Sequence, residues 1–275
     1  MWAMGPWEVD IYPVLIDTVF PLHAYGAMGA LGFVAVVFLI LRRASALGIE
    51  RDHVVDVIFW AAMAGIVGSR VLFVLQNPEL FDTVGQMVNL RNGGLVFYGA
   101  MLAGLPAWGF VMWYRGIGFF AFMDIAATAL PVGHAFARVG CLLAGCCFGL
   151  PSDLPWAVTF SHPLALSPPH GIPLHPVQAY ESALLLGIAL FVNLLYGRRQ
   201  WVGQAMCAYL VLYAFVRSVT EQFRGDVSRG FVAEEWLGQT LSFSTSVSMG
   251  IALVALVLFA WLPRRMLGTI RGPEA

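Results

Sequence analysis

The sequence predicts an all-α, polytopic membrane protein with seven transmembrane helices, its N-terminus outside and its C-terminus inside. Three observations predict this fold class. Of the 275 residues, 59% are hydrophobic and 11% are charged, against about 25% charged in soluble domains. Seven apolar runs approach the ~20 residues that a bilayer-crossing helix needs. The arginines outside those runs follow every second one, which sets a direction across the membrane. Residues 1–275 are read as a single integral membrane domain, with a short irregular, proline-rich external loop at about 141–175 between helices four and five.

The N-terminal tail carries Glu8 and Asp10 and lacks the basic region of a cleavable signal, so the first run, 25–41, is expected to remain as an anchor. Arg42, Arg43 and Arg51 follow it. The second run, 54–75, stops at the Asn77-Pro78 turn, and the third, 94–114, closes at Arg115. The fourth, 119–137, leads into the 141–175 stretch, which contains no arginine. The fifth, 178–196, opens after Pro176 and ends before Arg198 and Arg199. The sixth, 203–222, and the seventh, 242–262, precede Arg264, Arg265 and Arg271. Runs four and six read as the least apolar. The arginines after the odd-numbered runs all fall on one side, taken as cytoplasmic; Arg91, Arg224 and Arg229 form an external minority. No internal repeat relates the two halves, which removes the usual mark of a secondary transporter.

Charges inside the apolar runs are the candidate functional residues, because a charge at bilayer depth costs several kcal/mol unless paired or wet. Arg70, Arg138, Glu181, Arg217 and Glu221 fall toward the outer ends of their runs, and Tyr25 and Tyr98 share that level. Tyr213, Arg217 and Glu221 recur four residues apart and so stack on one helical face. Taken alone, Arg217 and Glu221 make a plain intrahelical ion pair; two further arginines at the same depth point to an anion-binding pocket. All fifteen basic residues are arginine, which excludes lysine nucleophiles and favours forked recognition of phosphate or carboxylate. A net charge of −1 argues against nucleic acid as a partner. Asp124, near the inner end of run four, reads as a partner for a nearby backbone amide or arginine.

The run Pro131-Val-Gly133-His-Ala-Phe-Ala-Arg138-Val-Gly140-Cys141-Leu-Leu-Ala-Gly145-Cys146-Cys147-Phe-Gly149 resembles the signature of bacterial prolipoprotein diacylglyceryl transferases, Gly-Arg-x-Gly-Asn-Phe-x-Asn-x-Glu-x-x-Gly. Other blocks agree in order: Tyr25-Gly26, Gly68-Ser69-Arg70, Gly93-Gly94-Leu-Val-Phe97-Tyr98-Gly99, His175-Pro176-Val-Gln178-Ala-Tyr180-Glu181 and Tyr213-Ala-Phe-Val-Arg217-Ser-Val-Thr-Glu221-Gln-Phe-Arg224. The resemblance spans about residues 20–262 and implies seven helices with an external N-terminus. It further implies transfer of the diacylglyceryl group of phosphatidylglycerol to the lipobox cysteine of secreted precursors, at the periplasmic side of the bacterial inner membrane. No cofactor or metal is implied. Arg138 and Arg217 match the family's essential arginines, with Glu221 orienting Arg217. Tyr25, Arg70, Tyr213 and Gly149 would join the two arginines around the lipid headgroup, with Tyr98 and Glu181 as further catalytic candidates.

Three departures fall on chemistry-bearing positions. The family's His-Gly-Gly reads Tyr98-Gly99-Ala100, and tyrosine, titrating near ~10, is a poor base at neutral pH. Glu181, His175 and His134 are the alternative proton acceptors. The two asparagines are Cys141 and Ala144, and the glutamate is Cys146, followed by Cys147. On an oxidising side these cysteines read first as a disulfide or as small apolar packing. The sharper alternative is a reactive thiol beside Arg138. A metal site with His162, His170 or His175 is disfavoured because no compact ligand spacing appears. Three alternative functions follow: a family paralogue with another acceptor, a non-catalytic anionic-lipid binder, or a membrane thiol–disulfide protein using Cys141, Cys146 and Cys147.

Overall fold

A computed structural model of the chain describes residues 7–9, 14–16, 22–90, 94–161, 165, 169–226, 231–236 and 239–266. Its long helices are α1 (Ala24–Ala46), α2 (Arg51–Gln76), α4 (Phe97–Tyr114), α5 (Phe119–Ala144), α6 (Val177–Arg198), α7 (Gln204–Glu221) and α8 (Phe243–Met266). The short α3 (Val84–Val88) lies between α2 and α4. Each apolar run thus falls on one long helix. Among the described residues, five helices are long and apolar enough to cross a membrane: α1, α2, α5, α6 and Thr245–Pro263 of α8. The other two, α4 and α7, have 18 residues each. Pro106 and several glycines dilute α4, while Gln204, Arg217 and Glu221 dilute α7.

The fold is mostly helical rather than all-α. Strand β1 (Trp7–Val9) pairs in parallel with β4 (Val158–Phe160), which pairs antiparallel with β5 (Pro173–Leu174). Strands β2 (Val14–Ile16) and β3 (Leu22–His23) pair, and β6 (Phe231–Trp236) forms a hairpin with β7 (Gln239–Ser242). The 141–175 stretch is consequently more ordered than its prolines suggest. Val158-Thr159-Phe160 is a β-branched and aromatic run suited to a strand, and Pro173 sits at a sheet edge, where a missing N–H is tolerated. Val158, Phe160, Ala165 and Leu174 bury a small core of their own, with Leu142 and Phe148 packed on it. Pro163 and Pro168 lie outside the described residues.

The chain divides into two compact units, Met1–Leu39 with Met123–Ala275 and Ile40–Phe122. In the smaller unit α2 packs on α4. A Cβ at Gly68 would lie 2.5 Å from Gly99 O, and one at Gly99 would lie 2.3 Å from Gly68 O, so the two backbones meet without side chains between them. Arg70 spends its donors here on the loop that joins these helices, giving Nε to Met87 O (2.6 Å), Nη1 to Gly94 O (3.0 Å) and Nη2 to Gln86 O (2.9 Å). Asp56, on α2, pairs with Arg115.

In the larger unit α6 packs on α7 and α7 on α8. Polar bonds cross between helices: Ser182 Oγ donates to Ala135 O (3.2 Å) and Asn193 Nδ2 to Thr128 O (3.0 Å). Asp124 is fully buried and accepts hydrogen bonds from Gly203 N (2.8 Å) and Met206 N (2.9 Å), with Arg199 Nε 3.6 Å away. It thereby satisfies amides that the first turn of α7 would otherwise leave without partners. The expected pairing of Asp124 with a backbone amide and an arginine is what the structure contains. Outward faces remain apolar; Val34, Leu190 and Leu253 are each 64% exposed, which suits hydrocarbon rather than water.

Candidate functional site

The charged cluster of the larger unit is drawn from α5, α6 and α7. Arg138 lies inside α5 and not at its end, because apolar residues 139–144 carry the helix on until Gly145 takes φ 70°. Its Nη2 lies 3.0 Å from Glu181 Oε1, and that carboxylate side chain is 1% exposed. On α7, Arg217 Nη2 lies 2.7 Å from Glu221 Oε2, one helical turn away. Both guanidiniums act electrostatically on His134 of α5 and on Tyr213 of α7, whose rings are 5.4 Å apart. Removing one member of either buried ion pair costs about 3–5 kcal/mol, since the other charge is left uncompensated.

Tyr25, in the first turn of α1, lies against Gly140: a Cβ there would come within 3.3 Å of its ring. The charge of Arg138 also reaches Tyr25. Among the described residues, neither Arg138 Nε nor Gln178 Oε1, both buried, has a hydrogen-bond partner. The cluster thus presents an open donor and an open acceptor. Arg70 and Tyr98 belong to the Ile40–Phe122 unit, where Arg70 clamps its loop and the Tyr98 ring lies 5.9 Å from that of Phe97.

The segment after α5 is stitched to the end of α7. Leu150 N donates to Phe223 O (2.9 Å), Gly225 N donates to Phe148 O (3.0 Å), and Gly149 bridges Arg224. Only glycine fits at 149, where a Cβ would sit 2.4 Å from His175 O. Arg224, assigned from the sequence to an external minority, is 91% buried (9% exposed) and forks onto Asp226, with Nη2–Oδ2 at 2.6 Å and Nε–Oδ1 at 3.0 Å. Its signal in the sequence was an arginine just past the sixth run with an aspartate two positions on.

Cys141, Cys146 and Cys147 are free thiols rather than a disulfide, and their sulfur atoms all lie within 4.8 Å of one another. Hydrogen bonds from the Cys141 and Cys146 thiols, helped by the Arg224 and Arg138 charges, hold the Cys147 thiol below the usual thiol range. Gln178, 1% exposed, donates from Nε2 to Cys146 O at 2.8 Å. His175 Nδ1 lies 3.3 Å from Tyr180 Oη, which accepts from Trp156 Nε1 at 2.8 Å; the histidine serves an aromatic cluster. His162 lies outside the described residues.

Chemically, the cluster can hold an oxyanion between two forked cations in a setting poor in water. Residues 13–261 match the sequence model of a family described as prolipoprotein diacylglyceryl transferase. The chain is similar to proteins named phosphatidylglycerol–prolipoprotein diacylglyceryl transferase from several bacteria. It is 34% identical to that of Geobacter sulfurreducens over 240 residues, covering 85% of this chain and 90% of the relative. With that of Chromohalobacter salexigens the identity is 33% over 258 residues, 91% and 93% of the two chains. With that of Clostridium tetani it is 30% over 257 residues, 90% and 96%.

Proposed function

The chain belongs to the prolipoprotein diacylglyceryl transferase family, and on that basis we propose that it transfers the diacylglyceryl group of phosphatidylglycerol to the lipobox cysteine of secreted prolipoproteins. One observation in the structure carries this reading: Arg138 on α5 and Arg217 on α7, in one compact unit, are each held by a buried carboxylate, Glu181 at 3.0 Å and Glu221 at 2.7 Å. In the reaction the acceptor sulfur forms a bond to the terminal glyceryl carbon of the lipid. The bond from that carbon to the phosphate oxygen breaks, glycerol phosphate leaves, and the thiol gives up its proton.

Charge accumulates on the phosphate as it departs, and preorganised guanidiniums aimed there lower the barrier most. Arg138 and Arg217 take this role, held in place by Glu181 and Glu221. The open Arg138 Nε and Gln178 Oε1 suit the two chemistries of the headgroup, an anionic oxygen and a hydroxyl. Tyr25 and Tyr213 border the same space. Glu181 accepts the thiol proton in place of the family's histidine, whose position Tyr98 holds. Gly149 contributes by letting the segment after α5 close on His175.

The protein sits in the bacterial plasma membrane with seven spans, N-terminus outside, and the site facing the periplasm. Support comes from the arginine distribution and from the β1–β4 pairing, which joins the N-terminal tail to the 141–175 stretch on one side. The decisive experiment is rescue of a bacterium depleted of its own diacylglyceryl transferase, with mass spectrometry of a reporter lipoprotein. A diacylglyceryl mass shift on the reporter cysteine is expected. Normal membrane insertion without that shift overturns the proposal and favours an anionic-lipid binder.

A further inference from the structure

Three cysteines that the transfer reaction does not use meet beside the charged cluster. Cys141 ends a turn of α5, Cys146 and Cys147 follow the helix, and all three sulfurs lie within 4.8 Å of one another. Along the chain the three cysteines and the histidines show no compact ligand spacing; the fold brings the three sulfurs together. Here the chain reverses tightly after Ala144, with Gly145 at φ 70° and Cys147 at φ 59°. Cys147 is the only non-glycine residue with positive φ among the described residues. Such a conformation is strained for a residue with a Cβ and persists only where the surroundings enforce it.

The surroundings do enforce it. Cys146 N donates to Cys141 O at 3.1 Å, the buried Gln178 holds Cys146 O at 2.8 Å, and Gly225 N holds Phe148 O at 3.0 Å. The Cys146 backbone is therefore pinned from α6, and the residue after Cys147 from the segment that follows α7, the kind of outer support that orients metal ligands. Two guanidiniums, Arg138 and Arg224, stand close enough to act on Cys147 and would temper the negative charge of a thiolate set.

We propose that Cys141, Cys146 and Cys147 form a three-thiolate site for one soft d10 metal ion, Cu(I) or Zn(II). Thiolate sulfur selects these ions over hard cations. With metal–sulfur bonds of about 2.3 Å, three sulfurs around one ion stand about 4 Å apart, and the observed sulfurs, all within 4.8 Å of one another, are near that spacing. Three sulfurs complete a trigonal shell for Cu(I) and leave Zn(II) one open position. Binding displaces three protons from the thiols and involves no oxidation. The site is independent of the transferase reading.

The test uses the full-length protein, purified in detergent without metal and with its thiols reduced. Zn(II) is titrated against a chromogenic chelator, and Cu(I) against bicinchoninate. One equivalent of one of these ions is expected to resist the competitor, and C141S/C147S is expected to bind it at least 100-fold more weakly. In unmutated protein the ion should shield Cys141, Cys146 and Cys147 from alkylation, read residue by residue by mass spectrometry; this measurement stands if the variant fails to fold. Failure of both ions to compete, retention of full affinity by the variant, or unshielded thiols at one equivalent overturns the proposal. A disulfide among the three in protein isolated from cells overturns it as well.

Discussion

Each of the two arginines at the centre of the site is held by a carboxylate, and the two are held differently. Arg217 and Glu221 share one helix, so their pairing follows from a four-residue interval and was legible in the sequence. Arg138 and Glu181 come from α5 and α6, and only packing brings them to 3.0 Å. Under the proposed assignment, Arg138→Ala should lower turnover with phosphatidylglycerol and a lipobox peptide by about 10²–10³-fold, the usual loss when one preorganised donor is removed. Arg217→Lys keeps the charge but loses the planar fork, and a clear loss of turnover is expected in the same assay. Glu181→Gln can still accept from Arg138 yet cannot take a proton. It should therefore leave lipid binding near normal while lowering turnover; unchanged turnover would remove Glu181 as the proton acceptor. The pairing of Arg224 with Asp226 and its burial depend on the segment after α7 folding back on residue 149.

At the level of elements, helices were read well and their ends less so. The expected end of the fourth run at 137 fell short of Ala144, because arginine reads as a boundary when its carboxylate partner is unseen. Strand β4 was hidden inside a proline-rich stretch, its partners being the distant N-terminal tail and Pro173. Asp124 shows an element held by a single side chain, since it accepts two amides at the start of α7 while facing Arg199. Asp124→Ala leaves those donors and a buried guanidinium without their acceptor. A loss of about 1–3 kcal/mol per buried group is expected, seen as a lower Tm in detergent. Gly149→Ala drives a methyl into the His175 carbonyl. Helix content by circular dichroism should hold, whereas turnover should drop at least tenfold as the segment after α5 separates from α7.

For the whole molecule, direction across the bilayer is the property that composition speaks to most directly, through arginines after every second apolar run. The proposed topology predicts that an alkaline phosphatase fusion is active when placed in the 141–175 stretch and inactive when placed after Leu47 or Arg199; the reverse pattern would invert the orientation. The sequence by itself determined the membrane class, the helices and the family resemblance. Hydropathy, helical spacing and motif order are local properties that survive without knowledge of packing. Only the tertiary structure decided which charges answer one another, that Arg224 is buried, and that three thiols share one point. Those facts depend on side chains from separate segments coming within a few ångströms, and nothing along a single segment encodes that distance.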